Sequence, residues 1–261
     1  MTHCDAAAWC GALSETQALG EAVLRAEPVC ARFPDHGSDV WRVTTPTRTV
    51  AARRSTLCGR PDTPFFYALR HVFGVNPRRT RDLTALHHVV ARATTLPVPR
   101  VLGFSSFPPG LHDQVHADAR CGEVAWVEWM PGEPLAAFVG APASVLRSLA
   151  THLADLHSAA LPGFGSPAAA TLKPLSRFHL RLARAGEALV RRHFADDVAA
   201  HMAWARARER LLHLPAPSCS ALILADIDAS QYLVQDGQLC ALVDLEAVVW
   251  GPPAWDFVNL E

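Results

Sequence analysis

The period of apolar residues changes near the middle of this chain. Before residue 130 the apolar runs are short and alternating. The segment "DVWRVTTPTRTVAARRS" repeats with period two on either side of Thr45–Thr47, which predicts strands over residues 39–44 and 49–53 joined by a turn. Pro97 and Pro99 enforce extended backbone, so a strand is expected over residues 101–104, and "EVAWVEWMPGEPL" reads as a strand ended by a Pro131-Gly132 corner. Two helices are expected in the same half. One covers residues 5–26, with Trp9, Leu13, Leu19, Val23 and Leu24 as its stripe, and the other covers residues 79–93. After residue 143 the period becomes helical: Val145, Leu149, Leu153 and Leu156 define a helix over residues 143–160. Residues 174–213 then alternate leucines with Arg177, Arg181, Arg184, Arg191, Arg192, Arg206, Arg208 and Arg210, as an exposed helical hairpin or a substrate-binding insertion would. A strand-rich first half and a helix-rich second half predict a two-lobed α+β chain.

The last forty residues carry most of the chemistry. Residues 222–224 read as a buried strand end, followed by a polar turn through Asp228, Ala229 and Ser230. Two apolar runs then flank Asp236-Gly237, a strong two-residue hairpin signal. That turn pairs Gln231 with Leu242 and sets Asp244 two positions further along, so Gln231 and Asp244 become diagonal neighbours on one face, roughly 7 Å apart. Asp226 stands at the mouth of the preceding turn. From Cys219 to Glu261 there is no lysine or arginine, while Asp226, Asp228, Asp236, Asp244, Glu246, Asp256 and Glu261 are all acidic. Carboxylates gathered in this way repel one another, and the expected remedy is a divalent cation carrying a phosphate-bearing nucleotide.

Composition narrows the classes. With 261 residues, 50% of them hydrophobic, the chain can bury one large core or two modest ones. A formal net charge of -1 argues against nucleic acid or an anionic membrane as partner. No run of 18 apolar residues spans a bilayer, and the start lacks a basic segment followed by an apolar run. Seven scattered cysteines without a Cys-x-x-Cys pair fit a reduced, cytoplasmic chain. His112 and His116, with Asp113, Asp118 and Cys121 nearby, have metal-like spacing, but they follow Pro108-Pro109-Gly110, where no helix is expected to align them.

The acidic segment resembles the aminoglycoside phosphotransferase family of small-molecule kinases, built on the protein-kinase fold. That family's catalytic loop usually reads His-Gly-Asp, four variable residues, then Asn; the matching positions here are Leu224, Ala225, Asp226 and Gln231. The resemblance implies that Asp226 is the catalytic carboxylate, orienting the acceptor hydroxyl and taking its proton. Gln231 replaces the asparagine that helps hold magnesium, and Asp244 matches the metal-binding aspartate after the hairpin. "WGPPAWDF" resembles the Gly-Asp-Pro-x-x-Asp segment, which makes Asp256 a loop-anchoring acid, and "LATHLADLHSA" resembles the helix ending in Leu-His, at Leu156 and His157.

In the first half the resemblance is one of layout. Arg53 in "TVAARRS" occupies the strand position of the family's phosphate-binding lysine, the sole lysine, Lys173, lying elsewhere; period two favours either Arg53 or Arg54 pointing inward, and Arg53 is chosen. Asp82 stands near the family's helix glutamate. Gly37 and Ser38 in "PDHGSDVWRV" resemble the nucleotide loop, and the backbone of Glu128 to Met130 in "WVEWMPGEPL" resembles the adenine-binding hinge. The implied architecture is a two-lobed protein-kinase-like fold. A small antiparallel-sheet N-terminal lobe covers residues 1–130, the hinge lies near 128–132, and a larger, mainly helical C-terminal lobe covers 133–261. The implied function is an ATP- or GTP-dependent, magnesium-requiring phosphotransferase acting on a hydroxyl of a small polar molecule, an aminoglycoside-like antibiotic or a metabolite. Two other readings stay open. The altered loop and absent small-lobe lysine fit a pseudokinase-like nucleotide-binding module, and the same carboxylates could activate water in a metal-dependent hydrolase.

Overall fold

Alternation of buried and exposed side chains builds one antiparallel sheet from the first half of the chain. The computed structural model describes residues 19–29, 37–57, 61–106, 123–258 and 260. Strands β1 (Arg25–Pro28), β2 (Ser38–Thr44), β3 (Thr49–Ser55), β4 (Val101–Ser106) and β5 (Glu123–Glu128) form a sheet of order β1-β2-β3-β5-β4. On one face Trp41, Val43, Val50, Ala52, Val124 and Trp126 make a small core of their own. On the other, Ala51, Ala125 and Val127 pack against Leu83, Leu86 and Val90 of helix α2 (Asp82–Ala93). The expected helix over residues 5–26 gives way at its end: Ala26 is buried and pairs with Val43, so residues 25–28 are a strand edge, while residues 5–18 lie outside the described residues. Helix α2 starts three residues later than expected, because residues 79–81 form a turn.

Helix α1 (Pro64–Val72) was not anticipated, although its start is legible in Thr63-Pro64: the Thr63 hydroxyl accepts the Phe66 N–H at 3.4 Å, and proline suits the first turn. Its apolar stripe does not pack on the small sheet. Phe66, Leu69, Val72 and the following Phe73 enter a core with Phe164, Phe178, Ile223 and Val249 from the second half of the chain. Cations of the large lobe cap its C-terminal carbonyls. Arg181 donates from Nε to Val72 O at 3.0 Å and from Nη2 to His71 O, and Lys173 Nζ donates to Phe73 O at 3.1 Å. Gly74, at φ +84°, makes room, since a Cβ there would lie 2.9 Å from Lys173 Nζ. Residues 57–75 thus share a core with residues 164–249 of the second half.

After Gly132, β6 (Glu133–Pro134) pairs with β10 (Tyr232–Gln235), which pairs in turn with β11 (Gln238–Leu242). Helix α3 (Ala143–Ser158) buries Val145, Leu149, Leu153 and Leu156 against Leu222, Leu224 and Leu242. A short hairpin, β7 (Gly163–Phe164) with β8 (Lys173–Pro174), leads to the arginine-rich pair α4 (Phe178–His193) and α5 (Val198–His213). This pair packs where the Trp204 ring covers Gly186. Strands β9 (Ala221–Leu224) and β12 (Val248–Gly251) are antiparallel, and α6 (Ala254–Val258) follows. Among the described residues no helix is long and apolar enough to cross a membrane.

Candidate active site

The loop after β9 is held from below. Leu224 N donates to Asp256 Oδ1 at 3.0 Å, the other oxygen of Asp256 lies 2.9 Å from His157 Nε2, and Trp255 Nε1 donates to Ala225 O at 3.3 Å. Asp256 is completely buried. Burial raises its pKa, and His157 and the Leu224 N–H work in the opposite sense. Its anchoring role matches the expectation, and the backbone of Leu224 supplies the contact while its side chain fills the core.

The loop is also braced from within. Asp228 accepts from Ser230 N at 2.8 Å, Gln231 Oε1 accepts from Asp228 N at 3.2 Å, and Gln231 Nε2 donates to Asp226 O at 2.6 Å. Gln231, expected at a cation, thus has its amide engaged by its own loop, with one lone pair of Oε1 to spare. The register behind its expected placement is off by one. Gln235 opposes Gln238 and Val234 opposes Leu239 as a two-residue turn demands, but a bulge then shifts the pairing so that Tyr232 opposes Leu242. Gln231 therefore lies across from Val243, whose N–H reaches Gln231 O at 2.8 Å. One inserted residue reverses the facing of everything beyond it. Asp244 has already left the strand in a left-handed conformation, at φ +61°.

That turn sends Asp244 toward the small lobe. Arg53 Nη2 lies 2.5 Å from Asp244 Oδ1 and 2.8 Å from Glu246 Oε2, and Glu246 Oε2 also accepts from Ser38 Oγ at 2.9 Å. Period two settles the choice between the arginines: Arg53 shares the inner face with Ala51, while Arg54 pairs across the strands with Asp39 at 3.1 Å. Burial opposes the Arg53 charge, but Asp244 and Glu246 more than compensate and hold its pKa above the ordinary value. Burial first, and the nearby Asp244 charge next, push Glu246 up, against the pull of Arg53 and Ser38. Asp226 keeps an open side toward solvent, yet it sits low in the cleft; desolvation, then Asp244, Glu246 and Asp228, push its pKa up to about 6. Because the residue is exposed, we attribute that shift chiefly to the crowd of like charges.

At the expected hinge, Glu128 N donates to Arg100 O at 2.9 Å and its carboxylate grips the Arg100 guanidinium, whereas the Met130 backbone has no hydrogen-bond partner among the described residues. Asp82 bonds Arg79 at 3.3 Å rather than Arg53. Buried His87 contacts Pro99 O at 2.6 Å through Nδ1, and burial lowers its pKa to about 4, so it is neutral in this setting. His112, His116 and their neighbours lie outside the described residues. Sequence reasoning overlooked Glu246 as a partner of Arg53; its only local signal is its place two residues after Asp244.

The donor set fits a hard dication. Asp244 and Glu246 share the Arg53 guanidinium, while Asp226 feels the like charges of Asp244, Glu246 and Asp228 with no cation of its own beside it among the described residues. Among the described residues no three His, Cys, Asp or Glu side chains form a protein-only cage. Magnesium on a nucleotide needs none, since one or two carboxylates together with phosphates and waters satisfy it.

Comparison with known proteins gives the family and the fold. Residues 30–260 match the phosphotransferase enzyme family. No curated protein sequence matches the chain. Among solved structures, a thermostable variant of aminoglycoside phosphotransferase APH(4)-Ia, in ternary complex with AMP-PNP and hygromycin B, is similar at 14% identity and TM-score 0.58, over 91% of this chain and 71% of that one. Macrolide 2'-phosphotransferase MphH from Brachybacterium faecium is similar at 19% identity and TM-score 0.56, over 94% and 74%. The gentamicin complex of APH(2")-IIa is similar at 12% identity and TM-score 0.60, over 99% and 75%. The two-lobed, kinase-like α+β fold is thereby shared.

Proposed function

Because the chain belongs to the phosphotransferase enzyme family, we propose that it transfers the terminal phosphoryl group of ATP or GTP to a hydroxyl of a small polar molecule, an aminoglycoside-like antibiotic or a metabolite. The observation that carries this reading is the meeting of Asp226, Asp244 and Arg53 across the lobes, with Asp226 open to solvent on a loop braced by Gln231 and Asp256. Asp226 orients the acceptor hydroxyl and takes its proton. With a pKa of about 6 it is mostly ionised near neutral pH yet basic enough for that task. Asp244, with the spare lone pair of Gln231 Oε1, would hold magnesium, which supplies charge neutralisation on the phosphates. Arg53 and Ser38 face those phosphates, and the unpartnered Met130 backbone with the Glu128 carbonyl receives the base. Little covalent work is asked of the protein, since positioning and electrostatics carry phosphoryl transfer.

The test is incubation with magnesium and labelled ATP or GTP over a panel of aminoglycosides, macrolides and amino-alcohols. Phosphate transfer that Asp226→Asn abolishes is the expected result; nucleotide binding with no transfer to any acceptor defeats it. That second outcome describes a pseudokinase-like module, favoured by one observation: the Arg53–Asp244 pair joins the phosphate cation to the metal carboxylate and must open before a nucleotide is seated.

A further inference from the structure

A cation that grips nucleotide phosphates from a strand needs an acidic partner to fix its reach, and in protein kinases a helix supplies that acid. Helix α2 does not supply it in this chain. Its first residue, Asp82, is turned to Arg79 at 3.3 Å, and its buried inward polar residue is the neutral His87. The acid on Arg53 comes from the opposite lobe.

Glu246 occupies a 3-10 turn (Leu245–Ala247) immediately after Asp244, and Ala247 O accepts the N–H of Ala225 at 3.1 Å, next to Asp226. From that platform a single oxygen, Oε2, takes two hydrogen bonds from the small lobe: Arg53 Nη2 at 2.8 Å and Ser38 Oγ at 2.9 Å. The backbone of the Gly37 loop descends onto the same carboxylate, and a Cβ at Gly37 would stand 2.9 Å from Glu246 Oε1. The side chains of the two acids on Arg53 differ in accessibility, 49% for Asp244 against 16% for Glu246. A cation arriving with a nucleotide therefore meets Asp244 first and finds Glu246 enclosed.

We infer that Glu246 is the positioning residue of the phosphate site, holding Arg53 and the Gly37–Ser38 loop in register with the catalytic loop while Asp244 is released to the metal. The inference rests on the phosphotransferase reading. Arg53 binds both acids through Nη2, and its Nε and Nη1 have no partner among the described residues, so they remain for phosphate oxygens. When Asp244 turns to a cation, Glu246 retains the guanidinium. The same carboxylate sets the height of the loop whose Ser38 faces the phosphates. In this division of labour Asp244 binds metal, Glu246 aims donors, and Asp226 handles the acceptor.

The experiment measures the affinity of the full chain for a fluorescent ATP analogue in EDTA and in magnesium, and the binding of manganese by electron paramagnetic resonance. The proteins compared are the wild type, Glu246→Gln, Asp244→Asn, Arg53→Ala and Glu246→Gln/Arg53→Ala. Loss of a charged hydrogen bond in a buried pair predicts that Glu246→Gln weakens the analogue about tenfold in EDTA and in magnesium alike. The double variant should be no weaker than Arg53→Ala, and manganese binding in the presence of nucleotide should persist in Glu246→Gln and vanish in Asp244→Asn. Ser38→Ala, which cuts one arm and leaves the ion pair, should weaken the analogue about threefold and serves if Glu246→Gln does not fold. Loss of manganese in Glu246→Gln would make Glu246 a metal ligand and overturn the inference, as would unchanged nucleotide affinity in Glu246→Gln or, where that protein does not fold, in Ser38→Ala. A wild-type chain that binds no nucleotide overturns the phosphotransferase reading itself, and the role of Glu246 with it.

Discussion

Arg53 and Asp244, 191 positions apart in sequence, touch across the cleft at 2.5 Å, so a group expected at phosphate and a group expected at metal begin as each other's partner. In the proposed function, seating a magnesium nucleotide parts them. Asp244→Ala should abolish the magnesium dependence of nucleotide affinity and lower turnover at least a hundredfold, as removal of a metal ligand does. Titration of a fluorescent nucleotide with magnesium checks this; retention of metal-dependent affinity would refute the assignment.

Arg53→Lys separates charge from geometry. A lysine keeps the positive charge but lacks the additional Nε and Nη1 donors that Arg53 leaves for phosphate oxygens, so the nucleotide KM should rise about tenfold while kcat changes less. Steady-state kinetics at fixed acceptor concentration decides.

In the proposed mechanism the base form of Asp226 is the working form. Its pKa is pushed up to about 6, so kcat/KM should fall as pH drops through about 6. The stability effect has the opposite sense. The folded state binds the Asp226 proton more tightly than the unfolded chain, whose ordinary value is 3.8, so the ionised group destabilises the fold increasingly as pH rises from that value to about 6, and fully above it. Asp226→Asn should thus raise Tm near pH 7.5, with the gain disappearing below about pH 4. Thermal melts across pH check the sign, and a lowered Tm at pH 7.5 would contradict it.

Asp256 acts through Leu224. Asp256→Ala strands a buried N–H and removes the partner of His157, which should cost about 2–4 kcal/mol of stability. Chemical denaturation measures this. Asp256→Asn, able to accept the Leu224 N–H, should restore a large part of it.

The clamp on α1 makes a structural prediction about the only lysine. Lys173→Met and Arg181→Ala each remove cations from the last carbonyls of α1 and should lower stability by about 1 kcal/mol, without weakening nucleotide binding in the folded protein. Gly74→Ala should cost about as much or more, because of its positive φ and its approach to Lys173 Nζ. Denaturation midpoints paired with nucleotide titrations separate these effects.

What the sequence by itself determined was local and periodic. Strands β2 and β3, the hairpin turn at Asp236-Gly237, helix α3 and the arginine-rich pair follow from side-chain period and turn chemistry, which act over a few residues. The loop that carries Asp226 and Gln231 is likewise one short contiguous segment, so its bracing by Gln231 acts over a few residues. Tertiary structure alone decided what those residues touch. The bulge beyond Val234 carried Asp244 off the expected face, because one inserted residue inverts a strand whose side chains alternate. Helix α1 joined the large lobe because Phe73, just past its end, found ring partners in Phe164 and Phe178, a choice that no local pattern encodes. The lysine-free acidic stretch led to the expectation of an external cation, and the structure brings an internal one, Arg53, to Asp244 and Glu246, since electrostatics depends on distance in space and is blind to separation along the chain.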